Sequence, residues 1–342
     1  MKILVAPLDW GLGHATRTIP VIRKFLAQGA KVDLAVSGKM SALYRGEFPD
    51  LTQIDIPGYG IRYPKRGFEM PFWLFANYRR ILKVIRKEHK LAESLVKERG
   101  YDTIFSDNRF GFHASGIKNI YMTHQLRIAF PGPFSLFENL GVAWHRRQMQ
   151  KFDEIWVPDY ADFPGLAGKL SHVRYGKSFS EKLNFIGPQS RFQKEDSYKL
   201  TASQPIKEFD FLAVLSGPEP MRTSFEKAIL KAFAEIPGKQ AIIRGLPGES
   251  ELPTAPPNVT LFNHLETVAF AEIVKSAKTV VSRPGYSTVM DMENLEASCI
   301  FVPTPGQTEQ VYLGKLLQKS GFSKLLRQKE ISAKKLCEAI ET

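Results

Sequence analysis

The stretch from residue 280 to residue 291 decides the fold class, because it runs from a buried strand through a tight turn into a helix. It reads Val280-Val281-Ser282-Arg283-Pro284-Gly285-Tyr286-Ser287-Thr288-Val289-Met290-Asp291. An apolar run followed by Pro and Gly predicts a strand and a turn, and Ser287 and Thr288 then fall in the first helical turn. Backbone N–H groups at a helix start attract anions, and the forked guanidinium of Arg283 adds donors for phosphate oxygens. This unit therefore predicts a diphosphate site.

Short apolar runs bounded by turn residues alternate with helical patterns on both sides of this stretch. The predicted strands are 3–7, 32–36, 103–106, 120–123, 154–158 and 182–186 in the N-terminal half, and 211–215, 241–243, 259–262, 279–282 and 299–302 in the C-terminal half. This alternation predicts an α/β protein of two doubly wound domains with parallel sheets and a ligand cleft at the carboxyl ends of the strands. We expect a first domain over 1–188, a polar linker over 189–208 and a second domain over 209–325. A C-terminal helix over 326–342 is expected to pack back on the first domain.

A glycine-containing loop, residues 10–14, joins the first strand to the first helix and ends in Gly13-His14. A neutral imidazole at a helix start can take a proton from a hydroxyl, and the helix dipole helps to keep it neutral. We expect Asp107, after the strand 103–106, to accept a hydrogen bond from His14, with Asp9 as the alternative partner. The competing interpretations are a structural loop histidine and an Asp107 that only caps a helix.

Composition and charge limit the class of protein and its partners. The chain has 43% hydrophobic and 24% charged residues, two cysteines and no apolar run of the ~20 residues that span a bilayer. These features predict a cytoplasmic protein, and any membrane contact is expected to be peripheral, on the inner face. The net charge of +12 is concentrated in the aromatic-rich stretch 58–90. We interpret that stretch either as a contact with an anionic membrane surface or as a solvated helix face, and we expect no nucleic acid because no recognised motif accompanies it.

The segment 282–291, followed by Phe301-Val302-Pro303 and Glu309-Gln310, resembles the donor-binding segment of inverting GT-B glycosyltransferases. The resemblance is greatest to glycosyltransferase family 28, which includes the peptidoglycan N-acetylglucosaminyltransferase. It takes in the Gly-Leu-Gly-His loop and both halves of the chain, with a weakly matched middle. It implies two Rossmann-like domains that face each other across a cleft, and a nucleotide-sugar donor, expected to be a UDP-sugar.

The resemblance also implies roles for individual residues. The residues expected at the donor are Gly13, Arg222, Leu265, Arg283, Gly285, Ser287, Thr288, Asp291, Glu309 and Gln310, and the resemblance carries over all of them except Gly13, Arg222 and Ser287. Of these, Arg283 and Gly285 would face the diphosphate, Asp291 stands where the family usually has a ribose-binding Glu, and Leu265 belongs to the segment that reads the base. The residues expected at the acceptor, a hydroxyl compound such as a lipid-linked or cell-envelope glycan, are Trp10, His124 and Arg127. His124 has a surface loop position as its ordinary alternative.

Two departures from the family pattern affect the donor site. The family's Gly/Ser-rich loop is Ser216-Gly217-Pro218-Glu219-Pro220 here, where the prolines lack N–H donors and Glu219 would repel a phosphate unless Arg222 compensates. Aspartate instead of glutamate at position 291 shortens the reach towards ribose by one methylene.

The implied chemistry is a direct displacement at the anomeric carbon. His14 would deprotonate the acceptor hydroxyl, while Arg283 and the helix start hold the departing diphosphate, so no cofactor and no metal would be required. The sequence has no Asp-x-Asp loop pair and no His/Cys cluster with ligand spacing. Two other functions stay open. The first is a nucleotide-sugar hydrolase, because the Gly-His-x-x-Arg loop of residues 13–17 also resembles a loop of those enzymes. The second is a non-enzymatic protein that binds a membrane surface.

Overall fold

The computed structural model describes residues 1–9, 12–58, 70–128, 138–192 and 208–341, with side chains omitted at 12, 39, 70–76 and 341. The chain divides into two compact units, with the boundary between Gln189 and Ser190. The predicted linker 189–208 therefore begins at this boundary. Its residues Ser190–Phe192 belong to the second unit, and residues 193–207 lie outside the described part of the chain.

The first unit is a parallel sheet with helices between its strands. Its elements are β1 (Lys2–Pro7), α1 (Leu12–Ala27), β2 (Lys31–Val36), α2 (Lys39–Glu47), β3 (Gln53–Asp55), α3 (Met70–Arg99), β4 (Thr103–Asp107), β5 (Lys118–Met122), α4 (Glu138–Met149), β6 (Glu154–Val157), α5 (Lys177–Ser180) and β7 (Leu183–Phe185). The seven strands lie in the order β3-β2-β1-β4-β5-β6-β7. Apolar residues cover both faces of the central strands, because alternate residues of β1 belong to two different cores.

The second unit repeats this plan with six parallel strands. Its elements are β8 (Phe209–Val214), α6 (Met221–Ala234), β9 (Gln240–Ile243), β10 (Val259–Phe262), α7 (Thr267–Ser276), β11 (Ala277–Ser282), α8 (Tyr286–Asn294), β12 (Cys299–Phe301), α9 (Thr308–Lys319), β13 (Ser323–Leu325) and α10 (Ala333–Glu341). The strand order is β10-β9-β8-β11-β12-β13. The prediction of an α/β fold with two doubly wound parallel sheets is thus confirmed.

Two short strands of the structure differ from the sequence prediction. The edge strands β3 and β13 were not predicted, because each has only three residues and no apolar run. The C-terminal helix α10 belongs to the second unit. Its Leu336 is fully buried in the core of the second unit, with Cys337 packed beside it, because α10 turns its apolar stripe towards that unit's own strands.

The topology creates one switch point in each sheet. The strand order reverses between β1 and β4 in the first sheet and between β8 and β11 in the second. Connections leave neighbouring strands towards opposite faces at such a point, so a crevice opens at the carboxyl ends of the two strands. The residues that follow β1 and β4 and those that follow β8 and β11 are therefore the ones placed to meet a ligand.

Candidate active site

His14 and Asp107 meet at the switch point of the first sheet. Asp107 is the last residue of β4 and lies opposite Pro7 at the end of β1. His14 lies in the first turn of α1, which follows β1. The His14 Nδ1 atom lies 3.0 Å from the Asp107 Oδ2 atom. The structure therefore makes Asp107 the partner of His14, and it places the alternative, Asp9, 3.5 Å from Arg109 instead.

Arg17 completes this group from one turn further along α1. Its Nε atom donates to Asp107 Oδ2 at 2.9 Å, and its Nη2 atom donates to Asp107 Oδ1. Its Nη1 atom donates to His124 Nδ1 at 3.0 Å. Arg17 is 2% exposed and Asp107 is fully buried. Sequence reasoning met Arg17 only as the last residue of the Gly-His-x-x-Arg loop and gave it no role, although its position three residues after His14 puts both on one face of the helix.

The hydrogen bonds determine the tautomer of His14. Burial opposes ionisation of Asp107, but Arg17 and His14 more than offset it and lower the pKa of the carboxyl. An ionised carboxylate only accepts, so His14 carries its proton on Nδ1 and has Nε2 as a proton acceptor. Burial and the Arg17 charge lower the pKa of His14, against the opposing effect of Asp107. His14 is therefore a neutral imidazole at pH 7.

The remaining first-unit residues that the sequence singled out have separate positions. Gly13 lies beside His14, and its carbonyl accepts from Thr16 Oγ1 at 3.1 Å. Arg127 lies after β5 and pairs with Glu138 at 3.2 Å, away from the contacts of His14. Trp10 lies outside the described residues.

Helix α8 begins directly after β11, at the switch point of the second sheet. Its N-cap residue is Gly285 in an extended conformation, which has no side chain to cap the helix. Ser287 and Thr288 are partly exposed in the first turn. The backbone N–H groups and two hydroxyls of this turn form a concentration of donors of the kind that binds phosphate groups.

Arg283 lies in the turn between β11 and α8 and is buried. Its Nη1 atom donates to the carbonyl oxygens of Val302 and Pro303 at 2.8 and 3.0 Å, and its Nη2 atom donates to Gln328 Oε1 at 2.6 Å. The guanidinium carbon lies 3.9 Å from the centre of the Phe225 ring. Arg283 is 1% exposed, and burial lowers its pKa to about 10. These contacts make Arg283 a brace between β11 and the loop that follows β12.

The start of helix α6 differs from that of α8 because a carboxylate occupies it. Glu219 accepts from the Thr223 backbone N–H at 3.2 Å and from Arg222 Nε at 2.6 Å. Arg222 also donates to Glu226 at 2.8 Å, and Glu226 accepts in turn from Arg244 at 2.5 Å. The predicted compensation of Glu219 by Arg222 is therefore present as an internal ion pair. Glu226 and Arg244 extend it into a network that sequence reasoning had not found.

The other residues predicted to contact the nucleotide-sugar donor lie near the carboxyl ends of the strands in the second sheet. Gln310 is buried in α9, and its Oε1 atom accepts from the Thr304 backbone N–H at 2.8 Å, which braces the loop after β12. Glu309 is partly exposed in the first turn of α9, and Leu265 is partly exposed in the connection from β10 to α7. Asp291 is 7% exposed, and burial raises its pKa to about 6 against the opposing effects of Arg191 and Ser190.

Comparisons with known proteins agree with this architecture. Residues 224–342 match the model of the glycosyltransferase family 28 C-terminal domain. An uncharacterized glycosyltransferase of Methanosarcina mazei is 23% identical over 350 residues, which cover 95% of this chain and 86% of the relative. The solved glycotransferase of kitacinnamycin superposes with a TM-score of 0.68 at 13% identity, covering 99% of this chain and 89% of that one. The MurG structure of Acinetobacter baumannii gives 0.54 at 14% identity, with coverage of 99% and 89%.

The two doubly wound sheets and these similarities define a glycosyltransferase with the GT-B fold. The similarity to glycosyltransferase family 28 covers residues 224–342. No helix among the described residues has both the length and the apolar character to cross a membrane.

Proposed function

We propose that the protein is an inverting glycosyltransferase that moves a sugar from a nucleotide-sugar to a hydroxyl acceptor, with His14 as the general base. The observation that carries this proposal is the hydrogen bond between His14 Nδ1 and the ionised Asp107, which directs the lone pair of Nε2 away from the carboxylate. This is the arrangement of a base and an orienting acid. It lies at a sheet switch point, where such folds bind substrates.

The reaction would proceed by one displacement. The acceptor hydroxyl gives its proton to His14 Nε2 as its oxygen forms a bond to the anomeric carbon of the donor. The bond between that carbon and the diphosphate oxygen breaks on the opposite face, which inverts the configuration. Asp107 stabilises the resulting imidazolium through the Nδ1 hydrogen bond, while Arg17 holds Asp107 in its ionised state.

The donor diphosphate would bind at the start of helix α8. Gly285, Ser287 and Thr288 would supply backbone and hydroxyl donors there, and Arg283 ties the turn before α8 to the loop after β12. The start of α6 is unsuitable for an anion, because Glu219 already occupies it. We propose a UDP-sugar as donor, with Leu265 next to the base and Glu309 next to the sugar. Fixed donors at the leaving group support a reaction without a metal ion.

The acceptor would contact the first unit around His14, with Trp10, His124 and Arg127 as predicted contacts. A lipid-linked or cell-envelope glycan would suit the basic helix α3. The charged side chains exposed between residues 77 and 90 are all basic, namely Arg79, Arg80, Lys83, Arg86, Lys87 and Lys90. Such a face attracts anionic lipid, which supports a peripheral position on the cytoplasmic face of a membrane.

Calorimetric titration with UDP and TDP tests the donor site. Wild-type protein and a His14→Ala variant are titrated in the presence of EDTA and again with magnesium. We expect micromolar binding of UDP that the variant retains and that EDTA does not reduce, because the base lies in the other unit. Absence of binding for both nucleotides, with and without magnesium, would contradict the proposal.

The products distinguish transfer from hydrolysis. Incubation with candidate UDP-sugars, with and without lipid-linked glycan acceptors, should release UDP only when an acceptor is present. Release of free sugar at a rate that no acceptor changes would identify a hydrolase instead. Nucleotide binding without any turnover would identify a binding protein.

A further inference from the structure

The guanidinium of Arg17 contacts side chains from two neighbouring strands of the first sheet. Strands β1, β4 and β5 are adjacent in that sheet. His14 follows β1 in the first turn of α1, Asp107 ends β4, and His124 is the second residue after β5. Arg17 donates to both Asp107 and His124. One buried cation therefore connects the carboxyl ends of β4 and β5 with the helix that carries His14.

The contact with Arg17 determines which ring nitrogen of His124 carries a proton. Arg17 Nη1 lies 3.0 Å from His124 Nδ1. A guanidinium has five N–H donors and no acceptor, so His124 Nδ1 must accept in this hydrogen bond. His124 is therefore the tautomer with its proton on Nε2.

His14 has the opposite tautomer because its partner has the opposite character. Its Nδ1 atom lies 3.0 Å from the Asp107 carboxylate, which only accepts, so the proton is on Nδ1 and Nε2 has the lone pair. Arg17 acts on both rings, since it keeps Asp107 ionised and donates directly to His124. In each ring, Nε2 lies across the imidazole from the atom that contacts Asp107 or Arg17.

We infer that Arg17 is a positioning residue that holds His14 and His124 in opposite tautomers, so that His124 donates a hydrogen bond from Nε2 to the acceptor while His14 takes its proton. This inference rests on the proposed function. The reacting hydroxyl oxygen uses a lone pair to bond the anomeric carbon, and a hydrogen bond donated to that oxygen would weaken it as a nucleophile. The N–H of His124 therefore suits a second oxygen beside the reacting hydroxyl. The acceptor class that fits this pair is a compound with neighbouring oxygens, such as a diol of a sugar.

Nitrogen NMR of protein labelled with ¹⁵N-histidine tests the two tautomers without any substrate. The chain has seven histidines, and the spectra of His14→Asn and His124→Asn assign the two relevant rings. At a pH where the histidines are neutral, we expect His124 to be protonated on Nε2 and His14 on Nδ1. Protonation of His124 on Nδ1, or the same tautomer in both rings, overturns the inference.

Arg17→Met tests whether Arg17 sets the tautomer of His124. Methionine has no N–H donor, so Nδ1 of His124 loses its hydrogen bond and the ring should become a mixture of tautomers. Arg23→Met, on the same helix at an arginine that pairs with Glu47, is the matched control and should leave both rings unchanged. A His124 tautomer that Arg17→Met does not alter overturns the role of Arg17. The wild-type spectrum decides the tautomers even if Arg17→Met does not fold.

Initial rates of two His124 variants test the hydrogen bond to the acceptor. Asparagine can place its carbonyl near the position of Nδ1 and accept from Arg17, but it has no donor at the position of Nε2. Glutamine reaches the position of Nε2 with an N–H. With UDP-sugars and lipid-linked glycan acceptors, His124→Asn should raise the KM for the acceptor at least about tenfold and leave kcat within about threefold. His124→Gln should bring that KM back to within about threefold of the wild type.

The order of the two variants separates a donor from a merely structural residue. A structural role would favour His124→Asn, because it keeps the partner of Arg17, and that order overturns the inference. A fall in kcat at unchanged KM in His124→Asn would place His124 on the reacting hydroxyl and also overturns it. Unchanged kinetics in both variants have the same meaning.

The spectra separate this inference from the proposed function. If no UDP-sugar gives turnover with any acceptor, the proposed function fails, and the spectra alone decide whether Arg17 sets the tautomers of His14 and His124. If turnover occurs but both rings have the same tautomer, the proposed function stands and the inference fails.

Discussion

At the scale of single residues, the candidate base depends on a balance of charges around Asp107. The carboxylate accepts from both His14 and Arg17, and Arg17 reaches on to His124. Arg17 keeps Asp107 ionised, which raises the basicity of His14, but its own charge opposes protonation of His14. The imidazole of His14 is therefore neutral before the reaction, and the Asp107 carboxylate is its counter-ion after it accepts a proton.

Removal of the base or of its orienting acid should abolish most of the turnover. We expect His14→Asn to lower kcat by ~10²–10⁴, the usual contribution of a general base. Asp107→Asn should lower kcat at least about tenfold, because its amide N–H would favour the tautomer with the proton on Nε2. His89→Asn, at a partly exposed histidine on α3, is the control and should retain activity. Full activity of His14→Asn in an initial-rate assay would contradict this role.

The pH dependence should report the charge of Arg17. Because His14 must be neutral and its pKa is lowered, kcat/KM of the wild type should fall only at pH values below the ordinary histidine pKa of about 6.5. Arg17→Gln removes a charge that disfavours the imidazolium, so the pKa of His14 should rise and the acid limb should move to higher pH. Arg23→Gln is the control on the same helix, where Arg23 pairs with Glu47. An unchanged acid limb in Arg17→Gln would exclude His14 as the titrating group.

At the scale of secondary-structure elements, several helices of the second unit begin at one edge of the sheet. Their first turns differ in which groups occupy the backbone N–H donors. The start of α6 binds its own Glu219, whereas α8 begins with a glycine and two hydroxyl residues. Arg283 connects the turn before α8 with the loop after β12, where Gln310 makes a further bond. The loops at this edge are therefore supported by buried polar side chains, as a binding site requires.

Arg283→Lys tests the brace. A lysine has one ammonium group and cannot bridge the carbonyls of Val302 and Pro303 together with Gln328, so at least one of these acceptors loses a charged donor. We expect the free energy of unfolding to fall by ~2–3 kcal/mol and the KM for the donor to rise. Arg327→Lys, at an exposed ion pair with Glu330, should change neither quantity appreciably. Weaker donor binding with unchanged stability in urea unfolding would instead indicate direct contact with phosphate.

At the scale of the whole molecule, the excess of positive charge is the property most relevant to partners. The formal net charge is +12, and the exposed charged residues of α3 between 77 and 90 are all basic. Glu88, the acidic residue of that stretch, is buried and lies 3.5 Å from Arg109. It therefore does not reduce the charge of the exposed face.

Vesicle binding tests this face. We expect the protein to co-sediment with vesicles of phosphatidylglycerol and phosphatidylethanolamine, but not with phosphatidylcholine alone, and to dissociate as salt increases. Replacing Lys83, Arg86, Lys87 and Lys90 by Gln should weaken binding at least about tenfold, since each charge contributes about 1 kcal/mol. Replacing Lys227, Lys231, Lys315 and Lys319 by Gln changes the net charge equally and is the control. Equal effects of the two sets would show that net charge, and not α3, determines binding.

The sequence by itself determined the elements and the edge at which the site lies. Apolar runs such as 3–7 and 279–282, with Gly and Pro after them, are local signals, and a parallel βα order follows from their alternation. The pairing of His14 with Asp107 could also be predicted, because the two residues lie at the carboxyl ends of neighbouring predicted strands. The edge strand β13 was not predicted, since its residues form no apolar run and its pairing with β12 depends on the folded sheet.

Only the tertiary structure decided which buried charged and polar side chains contact each other. Arg17 meets Asp107 across 90 residues, and Ser190 meets Asp291 across 101. Sequence periodicity shows which face of an element is apolar, but not which distant side chain lies opposite a polar one. That depends on the order in which strands become neighbours and on how closely their connecting helices pack. For this reason Arg283 and Asp291, both assigned to the donor from the sequence, have buried protein partners in the folded chain.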